Sequence, residues 1–516
     1  MHRNFMTEPT IVPRELLSSA SPEMRRSIVS GMRWTLWLSI LSVPFSYATN
    51  VILARTGTEV IGTYGLLMLY VVLVSTVFYL GGDAVPIRFL PEIESKSRLS
   101  FLLSYLLITF LAALVWIAVA SIWPQGLGYL FGRSSGAALQ ITLVCLAPLY
   151  IIYSVVNAAL KAQMEIGRAQ WLTRTFTFGS FAIYSFLFFV YRTWFRAHYS
   201  VLIWIVYFGL LLLATLWGVR LLRKSDLLRQ QEWPPRFCLP KGFWGFTLAL
   251  EGTSVLGAVQ RLDYVMILRW SGLAQLGRYV AVMAFASAIG RVVLFFVDPL
   301  MPSVTNLVAR REWAGVADTL TTYLRVLSWA GFGIASVMLL LAQPLVSILG
   351  PQYEGLGQLL IVMAVFAGLG VLGVYLSRLL TSFGLQHHSL WISGIQIGLF
   401  VPLFFLLWKP FNLIGAALAI AIAQFVALVL QLWVVYYAIP VRFLRFRDYG
   451  AYIGSLFGCA LIAHFLLRAP SIALASALVL ANALYLLVAG YSLDECRRLV
   501  FCFVPLVRRR GGSTAG

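Results

Sequence analysis

The sequence predicts an all-α polytopic membrane protein of about 14 transmembrane helices: two pseudo-symmetric six-helix lobes forming a parallel repeat, plus two C-terminal helices. Three observations carry this expectation. Of 516 residues, 60% are apolar and only 11% charged, against about 25% charged in soluble domains. Many apolar runs reach the roughly 20 residues a helix needs to cross about 30 Å of hydrocarbon, and they lack the period-2 alternation of a membrane barrel. A set of residues also recurs at a fixed spacing.

That recurrence starts in the stretch 50–92. Arg55, Gly57, Gly62, Tyr64 and Asp83 return as Arg269, Gly272, Gly277, Tyr279 and Asp298. The Gly62/Gly277, Tyr64/Tyr279 and Asp83/Asp298 pairs are each 215 residues apart, and one insertion aligns the two Arg. A second corner, Gly132 in YLFGRSSGA and Gly350 in SILGPQYEG, repeats at 218. The letters G-x4-G-x-Y also occur at Gly368, Gly373 and Tyr375 inside an apolar run, so the weight rests on where the motif falls in the hydropathy profile.

Taken in order, residues 1–33 form a polar N-tail, too long and mixed for a cleaved signal segment and expected on the cytoplasmic side. The N-lobe, 34–222, holds six apolar runs at about 34–54, 61–82, 100–123, 137–160, 173–191 and 200–222. The inter-lobe linker, 223–246, is polar, and its Trp-Pro-Pro prevents a continuous span. The C-lobe, 247–438, holds runs at about 247–270, 276–300, 322–346, 355–383, 389–408 and 413–437. Six is even, so both lobes enter from the same side, which makes the repeat parallel. Accessory spans at about 449–468 and 472–491 fill residues 439–491. In the C-tail, 492–516, RRLVFCFVPLVRRR alternates cations with apolar residues; it either lies along the anionic inner leaflet or is an unstructured basic tail.

Charge tests this topology. Segments placed inside carry 29 of the 39 Lys and Arg and the outside loops carry eight, with Arg261 and Arg291 left within spans. Both termini are therefore expected in the cytoplasm and the chain in the cell (inner) membrane. The net charge of +20 is spread over short loops, so it has a topological cause, and no nucleic-acid partner is expected. Trp34, Trp123, Trp194, Trp270 and Trp408 stand near span ends as interfacial anchors.

Enzyme chemistry finds no motif: no phosphate loop, no D-x-D, no G-x-S-x-G and no metal-ligand cluster. The five cysteines form no C-x-x-C pair; no disulfide, metal or cofactor is expected. Glu92 and Glu94 read as a solvated flank of RFLPE, and His387 and His388 as loop residues whose adjacency sets them about 100° apart on any helix.

Ionisable residues inside spans are another matter. Each costs about 2.5–3.5 kcal/mol at a helix centre, so each tends to face protein or water. Span 7 carries Glu251, Gln260, Arg261 and Asp263; span 8 carries Arg291 and, near its inner end, Asp298. The first lobe offers only Asn50 and Asn157 at similar depth. Arg261 and Arg291 are the anion-binding candidates, or they pair with Asp263, Glu251 or Asp298 to hold helices together. Asp83 and Asp298 are symmetric carboxylates for structure, gating or coupling. Arg88 and Arg378 either assist substrate entry at the inner face or simply obey the positive-inside bias.

The segments LARTGTEVIGTYGLL (53–67), RFLPE (88–92), RLDYVMILRWSGLAQLGRYVAV (261–282) and ILGPQYEG (348–355) resemble the polysaccharide and oligosaccharide flippases of the multidrug/oligosaccharidyl-lipid/polysaccharide exporter superfamily. Thr56, Gly57 and Ile61 depart from that family's first-corner pattern. The resemblance implies movement of a polyprenyl-diphosphate-linked glycan from the inner to the outer leaflet by alternating access, in cell-surface polysaccharide (lipopolysaccharide O-antigen or exopolysaccharide) biosynthesis. Its implied partners are the lipid-linked glycan, membrane lipids, and glycosyltransferases or a polymerase of the same pathway; a monomer is expected. In that reading Arg261 and Arg291 hold the diphosphate. Two alternatives stand beside it: a cation-coupled multidrug or metabolite exporter, motivated by Glu251 and Asp263, and a polytopic glycosyltransferase or polymerase.

Overall fold

The computed structural model describes residues 41–77, 79–90, 93–122, 137–163, 165–224, 235–259, 261–297, 313–383, 385–439 and 446–466, with Leu38, Val304 and Leu478 as single positions. The N-tail, Trp34, Glu92, Trp123, the Gly132 corner, Gln260, Asp298, the expected span 472–491 and the basic C-tail lie outside the described residues, as does the side chain of Arg291.

The fold is all-α, and no strand occurs among the described residues. Helix α1 covers 41–56. There follow α2 (Thr58–Val77), the short α3 (Ala84–Phe89), α4 (Arg98–Ile122), α5 (Ala137–Ala162), α6 (Ile166–Val190), α7 (Arg192–Lys224), α8 (Phe243–Val259) and α9 (Leu262–Val297). Then come α10 (Trp313–Leu340), α11 (Ala342–Leu349), α12 (Gly357–Ser382), α13 (Gln386–Phe411), α14 (Leu413–Ala438) and α15 (Phe446–Leu466). Six stretches among the described residues are long and apolar enough to cross a membrane, including His387–Ala438, which holds α13 and α14. A bilayer leaves helices as the one open-ended solution for these runs, because every peptide group must bond internally. Pro148 in α5 and Pro402 and Pro410 in α13 are the tolerated exceptions.

The expected spans map onto these helices with three corrections. Span 7 is divided: α8 stops at Val259 and Arg261 stands in a turn before α9. Polar residues crowded at membrane depth favour such a break, because a turn lets their heads leave the helix surface. Span 9 is likewise divided, by a turn at Leu341 between α10 and α11. His387 and His388 lie in the first turn of α13, not in a loop, with ring centroids 4.0 Å apart.

The repeated glycines meet each other. Gly272 bends α9 with φ 79° and ψ 178°, a backbone few residues other than Gly adopt, and from there α9 crosses α2. A Cβ on Gly62 would stand 2.5 Å from the carbonyl oxygen of Leu273, and one on Gly277 would overlap the carbonyl oxygen of Thr58. Thr58 and Leu273 are themselves 215 residues apart, so the contact is reciprocal. Gly65 faces Val280, its own counterpart at the same spacing. The repeat therefore lies across a local two-fold relation, each glycine receiving the other copy's backbone.

The chain divides into two compact units. One comprises 1–284, 348–353 and 387–423; the other comprises 285–347, 354–386 and 424–516. In the first, α5 packs on α3, α4, α6 and α7, and α2 on α5, α7 and α8. In the second, α10 packs on α12 and α15, with close approaches of α10 and α12 at Gly331 against Val371 and at Gly368 against Ala335, and of α12 and α15 at Gly368 against Leu456.

Candidate functional site

Two clusters in the first unit gather Arg261, Asp263, Asp83 and Glu251, half of the candidates whose side chains are described. The first is built on the break in span 7. The Tyr264 amide donates to the Arg261 carbonyl at 3.2 Å, closing the turn that starts α9. This places Asp263 in the first helical turn with no exposed surface, where Tyr279 donates its hydroxyl to Oδ2 at 2.8 Å. The Tyr264 ring meets the Tyr279 ring edge-on at 5.9 Å, and the half-buried Arg261 guanidinium lies 5.9 Å from the Tyr264 centroid, within cation–π range. Tyr279, marked in the sequence as a member of the repeat, thus has a donor role that spacing could not reveal. Changing Tyr279→Phe is expected to leave a buried carboxylate oxygen without its donor, lowering stability by about 1–3 kcal/mol; a thermal scan of detergent-solubilised protein checks this.

The second cluster surrounds the loop 79–83 between α2 and α3. Gly81 and Gly82 both take positive φ, 70° and 62°. The Gly81 amide donates to Glu251 Oε2 at 2.9 Å. Tyr105 donates to the carbonyls of Leu80 and Gly82 at 2.7 and 3.2 Å, and Lys161 pairs with Asp83 Oδ2. Asp83 and Glu251, candidates from separate stretches, are therefore brought to one loop. Glu251 Oε1 is buried without a hydrogen-bond partner. The Lys161 and Asp83 side chains are 27% and 37% exposed, so a double-mutant cycle with Lys161→Met and Asp83→Asn is expected to return a coupling below about 1 kcal/mol. A larger value would mean that the pair works in a drier setting than its exposure indicates.

The other candidates stand apart. Asn157 is buried one turn before Lys161 and donates weakly to Thr173 Oγ1 at 3.4 Å, its Oδ1 buried without a partner. Asn50 donates to its own helix at the Ser46 carbonyl, 2.9 Å away. Arg88 is exposed, with its guanidinium 4.3 Å over the Phe246 ring. Arg378 is exposed on α12 in the second unit.

The repeated corner makes further links. Arg55 Nε donates to the Ile348 carbonyl at 2.9 Å, and Gln352 and Tyr353 donate to the Ala54 carbonyl at 2.6 and 3.3 Å. The corner that opens the repeat is thus tied to ILGPQY, the second motif of the C-terminal half. Glu59 accepts from the Tyr199 hydroxyl at 2.8 Å. Lys161, Tyr105, Gly81 and Gln352 carry no signal in the sequence because their partners are remote in the chain.

No protein-family model and no curated protein matches the sequence. Solved structures match in fold. An inward-facing multidrug resistance MATE family transporter of the MOP superfamily aligns with TM-score 0.60 and 12% identity, over 78% of this chain and 97% of its own. The lipid II flippase MurJ in an inward closed conformation aligns with TM-score 0.59 and 13% identity, over 90% of this chain and 99% of its own. The MATE multidrug transporter DinF-BH, in a ligand complex, aligns with TM-score 0.61 and 15% identity, over 80% and 97%. The chain thus shares its fold with MATE transporters and with MurJ, and six stretches among the described residues are long and apolar enough to cross a membrane.

Proposed function

We propose that this chain is a flippase that carries a polyprenyl-diphosphate-linked glycan from the inner to the outer leaflet by alternating access, without catalysing a reaction. The carrying observation is coverage: the MurJ match runs over 90% of the chain, while the multidrug transporters match 78 to 80% of it. Arg261 and Arg291, the two cations left within spans, support an anionic cargo. In this proposal Arg261 and Arg291 hold the diphosphate, Arg88 and Arg378 guide entry, and Asn50, Asn157 and Gln260 line the polar path. Asp263, Glu251, Asp83 and Asp298 serve gating or coupling. The chain works as a monomer in the inner membrane with both termini cytoplasmic, alongside the glycosyltransferases or polymerase that make and use its cargo.

A second reading, a cation-coupled multidrug exporter, is favoured by the acidic Glu251 and Asp263 in span 7 and by the fold match to the ligand complex of DinF-BH. One experiment separates the two. Full-length protein in proteoliposomes is offered a polyprenyl-diphosphate oligosaccharide on one leaflet, and external glycosidase reports the fraction that crosses; parallel vesicles are loaded with a cationic rhodamine dye. Glycan crossing without dye movement is expected. Dye export with no glycan crossing would replace the first reading by the second.

A further inference from the structure

The described half of the inter-lobe linker supplies an inference that does not depend on the cargo. Between Pro235 and Pro240 the chain runs without helix or turn. Its peptide groups are directed at α4: the Arg236 amide donates to Ser100 Oγ at 3.3 Å and the Cys238 amide to Ser104 Oγ at 2.9 Å. Ser100 and Ser104 are buried and one helical turn apart, so the start of α4 presents two acceptors about 5–6 Å apart, close enough to the roughly 6.6 Å between alternate residues of an extended chain for both amides to be met. The prolines at each end bring no N–H needing a partner. Residues 235–240 are a strap fixed to α4.

Two of its side chains stay open to the surroundings. Arg236 is exposed and Phe237 is 65% exposed. Lys241 is exposed in the following turn, and Trp244 is 49% exposed at the start of α8. Leu248 and Val255 continue that exposure up α8 at helical spacing, as an apolar stripe in line with the patch. The aromatic and basic patch therefore begins where the apolar stripe ends, the level at which Trp marks the edge of the hydrocarbon. An exposed Phe is unfavourable in water and favourable at the acyl–headgroup boundary, and the cations flanking it are attracted by negative headgroups. The Lys and Arg count puts the linker on the cation-rich side, the side expected to face the anionic inner leaflet.

We propose that residues 235–244 form a lipid-binding strap: Phe237 and Trp244 insert at the headgroup boundary of the inner leaflet, and Arg236 and Lys241 hold the phosphate of an anionic phospholipid. The strap thereby fixes the height of the linker against the membrane while α4 fixes its direction.

The test places the photocrosslinking residue p-benzoylphenylalanine at position 237 of the full chain, in vesicles of equal phosphatidylglycerol and phosphatidylcholine, and weighs the intact protein after irradiation. A single-phospholipid adduct is expected, favouring phosphatidylglycerol by about fivefold or more. In the same background, R236Q/K241Q should keep the lipid adduct with a ratio near one, while R236K/K241R keeps the preference. Absence of a lipid adduct, or crosslinks to protein only, would overturn the insertion. An unchanged ratio in R236Q/K241Q would overturn the headgroup assignment.

Discussion

Replacing Gly277 by Leu is expected to abolish folded, monodisperse protein. The first atom added at this position overlaps the carbonyl oxygen of Thr58, and a backbone oxygen in α2 cannot rotate aside as a side-chain terminus can. Relief requires the two helices to separate, which removes the contacts at Gly62 and Gly65 as well. The cost should reach or pass the about 1–3 kcal/mol typical of overpacked cores. Gly62→Ala, whose methyl would sit 2.5 Å from the Leu273 oxygen, should produce a milder loss of the same kind. Gly245→Ala, with nothing within 4 Å of the new atom, is the control and should be neutral or slightly stabilising, since Ala favours helix over Gly by up to about 1 kcal/mol. Fluorescence-detected size exclusion before and after heating reads all three. A full-height, heat-resistant peak for Gly277→Leu would show that the crossing is not required.

The second large effect concerns cargo. R261Q/R291Q should lose roughly two to four orders of magnitude in glycan crossing while running normally on size exclusion, because two charge-assisted contacts of about 1.5–3 kcal/mol each are removed. R261K/R291K should recover part of it: the charge returns but the planar fork that matches two phosphate oxygens does not. The opposing idea, that Arg261 only braces its helices, predicts a different signature. Arg261→Gln alone would then lower the melting temperature, while the surviving folded protein would transport at full rate. Full crossing by the double variant would reject the diphosphate assignment.

The fold was legible because membranes simplify the code. Length and apolarity mark a span without side-chain detail, and spans 1 to 12 fall on described helices of matching position, span 7 broken at Arg261 and span 9 at Leu341; span 13 matches α15, and span 14 lies outside the described residues. The repeat was legible as spacing, and the crossing of Gly62 with Gly277 gives that spacing a physical cause. The candidate clusters were less so. Glu251 and Asp83 stand out by their charge at depth, but no pattern in the chain joins Glu251 to the Gly81 amide or Lys161 to Asp83. Such partners lie in different spans and meet only once the helices are packed. His387 and His388 resemble loop residues because adjacent polar residues near a span boundary look alike whether a helix has started or not; the structure starts α13 at Gln386.

Gly65 and Val280 occupy equivalent places and face one another, and a Cβ at Gly65 would lie 2.5 Å from a Val280 methyl. If a half-length ancestor paired with itself, this residue would have met its own image. Two valines would have collided there and two glycines would have left a hole. Gene fusion removes that dilemma, since one copy can shrink while the other grows, and the seam between halves becomes a lock with a distinct key.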